Sequence, residues 1–159
     1  MGIAEIDRAV LPDCTVLELP TGRDLVTACG IAYGQNRAGE HLVARWVQAL
    51  AQLHRSCHFE PAKADRIAVL RSNLIVLIDQ WAAVHTRLSR TGFGTAADQL
   101  TGAYVAARLM VYGDDPADPL DLHGAWTALA RCVNAWDDLR AGHKTVPWPL
   151  DHSPARGER

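Results

Sequence analysis

The sequence predicts an all-α domain: an antiparallel four-helix bundle with an additional short N-terminal helix and irregular termini. Three observations carry that reading. In residues 65–88, Ile67, Leu70, Leu74, Leu77, Trp81, Val84 and Leu88 recur at spacings of three and four. This rhythm places all seven on one side of an α-helix and fits no strand, whose side chains alternate every two residues. Residues 40–57 and 120–141 show the same rhythm, and links bearing glycine, aspartate or proline separate the amphipathic segments. Each apolar stripe needs a partner, and short links make an antiparallel bundle the natural solution.

Taken in order, residues 1–21 read as an irregular arm in which Val16, Leu17 and Leu19 can pack, with a short strand at 14–19 as the weaker alternative. A short helix begins near Gly22 or Arg23 and ends around Cys29 or Gly30, and Gly30, Gly34 and Gly39 loosen the connection that follows. The next helix spans about 40–57, with Trp46, Leu50, Leu53 and Cys57 in its stripe. Pro61 suits the first turn of a helix, where its missing N–H costs nothing. That helix is expected to run to about Arg90, a length of about 42 Å. Residues 74–78 are apolar all round, which predicts burial from more than one side. Thr95 is the expected N-cap of a helix over 96–112, with Ala96, Leu100, Ala107 and Met110 on its inner face. Asp114, Asp115, Pro116, Asp118 and Pro119 form a turn before the last helix, where Leu122, Trp126, Leu129, Val133 and Trp136 repeat the stripe. Residues 143–159 read as a tail, with Val146 and Trp148 able to dock.

The 159 residues suit one domain, here 22–142, and 48% hydrophobic with 21% charged residues argues against global disorder. Net charge is -2 and the 16 basic residues form no run, so nucleic acid is an unfavoured partner. No uninterrupted apolar stretch approaches the ~20 residues that span a bilayer, and the acidic N-terminus lacks a signal-peptide pattern. No membrane association and a cytoplasmic location are therefore expected. Cys14, Cys29, Cys57 and Cys132 never form a CxxC pair and read as small hydrophobes.

Several segments together resemble a known family. They are Leu19-Pro20-Thr21-Gly22-Arg23-Asp24-Leu25, then Ala49-Leu50-Ala51-Gln52-Leu53-His54, then Arg66 with Arg71-Ser72-Asn73 and Ile78-Asp79-Gln80-Trp81. Thr91-Gly92, Ala97-Asp98-Gln99-Leu100 and Leu122-His123-Gly124-Ala125-Trp126 follow, with Leu129-Ala130 and Asp138-Leu139 last. In order and spacing over 19–148 they resemble an actinobacterial all-helical family of uncharacterised proteins, domain of unknown function 4254. The resemblance implies an all-helical cytoplasmic domain and no particular activity. Ala97-Asp98-Gln99-Leu100 departs from the family's more typical Ile-Asp-Arg-Leu.

The polar residues offer two candidate sites. Asn73, Asp79, Asp98 and His123 would line a small polar cleft between the long helix and the last two. There His123 would serve as acid or base, oriented by Asp98 or Asp79. The bland alternative is surface polarity or a satisfied structural network. His54, Cys57 and His58 share a helix face at i, i+3 and i+4 and carry zinc-type donors, but no fourth ligand is evident. Arg66 and Arg71 suit an anion or an ion pair to a neighbouring helix. Di-iron chemistry is excluded by the absence of any Glu-x-x-His unit, and phosphate-loop, nucleophile-elbow and His-Glu-x-x-His motifs are absent too. No cofactor is implied.

The leading expectation is a non-catalytic, self-associating interaction or accessory protein, most simply a homodimer in which Ile75, Val76 and Ile78 need cover from a second copy or a protein partner. The alternative is a small enzyme or small-molecule-binding protein using Asn73, Asp79, Asp98 and His123. A positive surface of Arg45, Arg55, Arg66, Arg71, Arg87 and Arg90 would be needed to reopen nucleic-acid binding.

Overall fold

A computed structural model of the chain describes residues 18–31, 35, 40–86, 88, 91–115 and 117–142. They form five α-helices: α1 Gly22–Cys29, α2 Leu42–Phe59, α3 Ala64–His85, α4 Phe93–Tyr112 and α5 Pro119–Arg140. A single 3-10 turn, Pro61–Lys63, joins α2 to α3, and no strand occurs among the described residues. The fold is thus all-helical, a short helix followed by a four-helix core. Cys14, Val16, Leu17, Arg87, Arg90, Val146 and Trp148, together with the tail, lie outside the described residues.

Local chemistry sets the helix ends. Thr21 caps α1 through a reciprocal pair, its hydroxyl accepting from the Asp24 N–H at 3.1 Å while Asp24 accepts from the Thr21 N–H at 3.0 Å. Asp118 caps α5, accepting from the Leu120 N–H at 2.8 Å, and Pro119 takes the first helical position. Two boundaries differ from the expectation. The third helix stops at His85 rather than Arg90, because Thr86 turns extended and its hydroxyl donates to the Ala82 carbonyl. α4 begins at Phe93, so Thr95 is not its cap. Gly92, at φ 107°, is the N-cap residue, and Asp79 of α3 does the capping from outside. Its Oδ1 accepts from Gly92 N at 3.2 Å and Gly94 N at 2.9 Å. A carboxylate at a helix N-terminus also meets the positive end of the helix dipole.

α4 is the central element, packed against α1, α2, α3 and α5, while α3 touches only α2, α4 and the 3-10 turn, and α5 only α1 and α4. Phe93 and Leu100 of α4 are fully buried in one core cluster with Val47, Leu50, Ile78 and Trp136, and Thr101 and Ala107 are fully buried too. The α3–α4 contact is close enough to require a glycine. A Cβ on Gly94 would sit 2.1 Å from the Ile75 carbonyl oxygen.

The predicted stripe on α3 splits in two. Ile67, Leu74 and Trp81 face inward together with fully buried Ile78, a position outside that stripe, whereas Leu70, Leu77 and Val84 are exposed. Ile75 lies against Gly94, so of the three residues expected to need outside cover only Val76 is exposed. On α5, Trp136 is buried and Trp126 is exposed rather than part of the inner stripe. The helical segment Pro61–His85 is also long and apolar enough to cross a membrane, with a mean hydropathy of 1.5 over its most apolar 18 residues. Counting only uninterrupted runs hid this, since Arg71 and Asp79 break the run without lowering the average much. Mostly buried core helices satisfy the same criterion, whereas only 22% of this stretch is buried.

Candidate functional site

Of the four residues expected to form a cleft, only Asp98 enters a polar cluster. Asp79 is spent on the start of α4. Asn73 and His123 are both exposed, on α3 and α5, two helices that do not touch. The companions of Asp98 are His54 of α2 and Arg71 of α3. Asp98 Oδ1 is 2.9 Å from His54 Nε2 and accepts from Arg71 Nε at 3.0 Å, and Oδ2 accepts from Arg71 Nη2 at 2.6 Å. The Asp98 side chain is 13% exposed. Burial alone would push its pKa up, but the bonds from His54 and Arg71 outweigh that and hold it at about 2. Gly102, one turn on, leaves room for the His54 ring, which would lie 3.0 Å from a Cβ there.

The signal for this cluster was present in the sequence. His54 follows Leu50 at i+4 on the inner stripe of α2, and Arg71 falls between Ile67 and Leu74 on the inner stripe of α3. Polar residues in stripe positions demand partners when buried.

His54 is therefore committed to Asp98. Cys57 is half-buried, and exposed His58 meets Phe59 edge-on with ring centroids 5.0 Å apart. Among the described residues, no three His, Cys, Asp or Glu side chains gather to hold a metal. The Cys29 and Cys132 thiols are pushed up by burial, Cys29 to about 12, as expected of apolar packing groups. Arg55 donates to the Cys29 carbonyl at 3.4 Å and Arg71 is held by Asp98, so these two do not join an open cationic surface.

A second polar region was not anticipated. α2 and α5 do not touch, and α1 spans the space between them. At eight residues it is about 12 Å long, against about 33 Å for the 22 residues of α5. It fills the groove only in part. The remaining cleft has a volume of about 580 Å³ and is open to solvent. Thr21, Asp24, Glu40, His41 and Arg140 supply most of its polar wall, with Leu19, Ala28, Ile31 and Ala44 as apolar floor. One edge is held in place by the Trp136 indole N–H, which donates to the Pro20 carbonyl at 2.8 Å.

The wall of this cleft contains unsatisfied polar atoms. Fully buried Gln48 donates to Glu40 Oε1 at 2.7 Å, and Glu40 Oε2, also buried, has no hydrogen-bond partner. His41 caps α2 by accepting from the Val43 N–H at Nδ1, 3.1 Å away, which puts the ring proton on Nε2. Nε2 has no partner of normal geometry, although the Glu18 backbone lies close enough to favour the protonated ring. Burial outweighs that effect and His85 adds to it, so the His41 pKa falls below its ordinary value and the ring is neutral at neutral pH. Its face is fixed by Trp81, edge-on at 4.7 Å. Arg140 Nε forms an ion pair with Asp137 Oδ1 at 3.6 Å, beyond hydrogen-bond reach, and has no hydrogen-bond partner, while its charge also acts on Asp24. Asp24 is held below the usual carboxylate range by the Thr21 hydroxyl and N–H.

No family model, curated protein or solved structure matches this chain.

Proposed function

We propose that this protein binds a small polar molecule in the cleft bounded by α1, the start of α2 and the end of α5. The observation that carries the proposal is the gathering on the cleft wall of Glu40, His41 and Arg140, each with a buried side-chain atom, Oε2, Nε2 and Nε, short of a hydrogen-bond partner. A buried polar group without a partner costs about 1–3 kcal/mol. Native proteins keep such groups rarely, and a ligand that pairs them recovers the cost.

The donor and acceptor pattern specifies the ligand class. Glu40 presents an acceptor, whereas His41 and Arg140 present donors. Three carboxylates, Glu18, Asp24 and Glu40, line the cleft against one guanidinium and a neutral imidazole, so the wall favours a cationic group. A primary amine that also bears a carbonyl, carboxylate or hydroxyl acceptor satisfies both halves. The amine meets Glu40, and the oxygen meets Arg140 and His41. The His54–Asp98 pair, which acid–base chemistry would use, is closed by Arg71 and does not line the cleft. Binding rather than turnover is thus the reading these groups support.

A thermal-shift series tests it. Free ω-amino acids from glycine to 6-aminohexanoate are added at millimolar concentration, with the matching carboxylic acids lacking the amine as controls. A melting temperature that rises for one range of chain lengths, and not for the controls, supports the proposal. Glu40→Gln should abolish the rise. No rise with any amine, or the same rise in Glu40→Gln, rejects it.

A further inference from the structure

α3 carries a second apolar face that nothing in the described chain covers. Val69 is 61% exposed, Val76 52% and Val84 77%, and Leu70 and Leu77 are about two-fifths exposed. These side chains are spaced in sevens: 70, 77 and 84 form one row, and 69, 76 and Ala83 the next. The two rows occupy adjacent positions about 100° apart, as g and a do in a heptad, and Asn73 and Gln80 hold the d positions between them. Asn73 and Gln80, both exposed, fall within the same strip.

The face also lacks free charge. Between Arg66 and His85 the helix contains only Arg71 and Asp79 as charged residues, and both turn toward α4. About 22 Å of outward-facing helix, from Val69 to Val84, is therefore apolar or neutral.

We infer that this strip pairs with the same strip of a second copy of the chain, as a short two-helix seam. A heptad-spaced surface fits a helix with the same repeat and similar length, and a second copy supplies both. A two-fold pair buries the same patch on each subunit, so the patch must be complementary to itself. An uncharged strip meets no like-charge repulsion from its copy. Asn and Gln each carry a donor and an acceptor, so the side chains of Asn73 and Gln80 can bond with their counterparts across the seam. A lipid surface would strand those two amides in hydrocarbon with no partner. At about 600 Å² per partner, a seam this short lies at the small end of stable interfaces, and the pair exchanges with concentration.

Sedimentation of the full chain from about 1 µM to about 200 µM tests this, a range that spans micromolar affinity. The wild type should climb from the monomer mass to about twice that value. Asn73→Glu and Val76→Glu, which place charge on the strip, should hold the monomer mass throughout with an unchanged helical circular dichroism signal. Asn73 is already polar and exposed, so that variant keeps the monomer folded even where Val76→Glu does not. A wild type that stays monomeric overturns the inference. So does a dimer that persists in the Asn73→Glu variant. Sedimentation of a monomeric wild type with vesicles of phosphatidylcholine and phosphatidylglycerol overturns it as well, and assigns the face to lipid.

Discussion

The two polar regions of this protein are built from the same residue types and reach opposite states. At Asp98, one carboxylate gathers His54 and Arg71 from two other helices, and all its bonds fall between 2.6 and 3.0 Å. At Glu40, one carboxylate oxygen is held by Gln48 and the other meets nothing, with His41 and Arg140 similarly short of partners. Position in the bundle accounts for the difference. Asp98 lies where α2, α3 and α4 converge, all 18 residues or longer, so side chains from three helices reach one point. Glu40 lies beside an eight-residue helix that cannot fill the groove it occupies. The closed cluster belongs to the architecture, whereas the open one is left available to the proposed ligand.

The largest expected effect follows from breaking the closed cluster. Asp98→Ala leaves the Arg71 guanidinium facing α4 without its counter-charge, and removing one member of a buried pair costs about 3–5 kcal/mol. Arg71 is 30% exposed and regains some water, so a loss of about 3 kcal/mol is expected. Urea denaturation measures it directly. A loss no greater than that of a change at Glu40 would erase the distinction between the two regions.

The next effect is acid sensitivity. The Asp98 pKa in the folded state is about 2, against 3.8 for an ordinary aspartate. Its stabilisation is fully present above the unfolded-state value and is lost as the pH falls through the folded-state value. The window runs from about pH 4 down to about pH 2, and the contribution is about 2 kcal/mol. Asp98→Asn should flatten that part of the stability curve. A wild type and an Asp98→Asn variant with parallel acid-unfolding curves would show that another carboxylate governs the transition.

How much of this was legible in the sequence differs by level. Helix count and order followed from the three-four spacing, because periodicity is a property of one segment at a time. The start of α4 did not, since its capping group, Asp79, is 15 residues upstream of Gly94 on another helix. The same holds for the sites. Asp98 stood out as a carboxylate in an amphipathic helix, but its partners depend on which stripes meet. The proposed grouping with Asp79 and His123 assumed that the long helix touches the last one. It does not, because α4 lies between them. The cleft was illegible for a further reason. Its wall brings Arg140 at the end of α5 to Glu40 and His41 before α2, residues 99 or more apart in sequence that show no local pattern.

The smallest expected effect bears on the cleft. Glu40→Gln keeps the side-chain shape and retains an oxygen for the Gln48 amide, while it removes one of three carboxylates from the wall. In the absence of ligand it should leave stability within about 0.5 kcal/mol of the wild type or raise it slightly. The wild-type oxygen already lacks a hydrogen-bond partner, so the change removes no bond. A residue that supports the fold would behave like Asp98 and lose stability. A residue kept for a ligand trades stability for function, so its replacement costs binding instead. Calorimetric unfolding of the ligand-free variant separates the two cases: a loss above about 1 kcal/mol would place Glu40 with the architecture. Unchanged stability, together with a lost response to amines, would leave ligand binding as the role of the cleft.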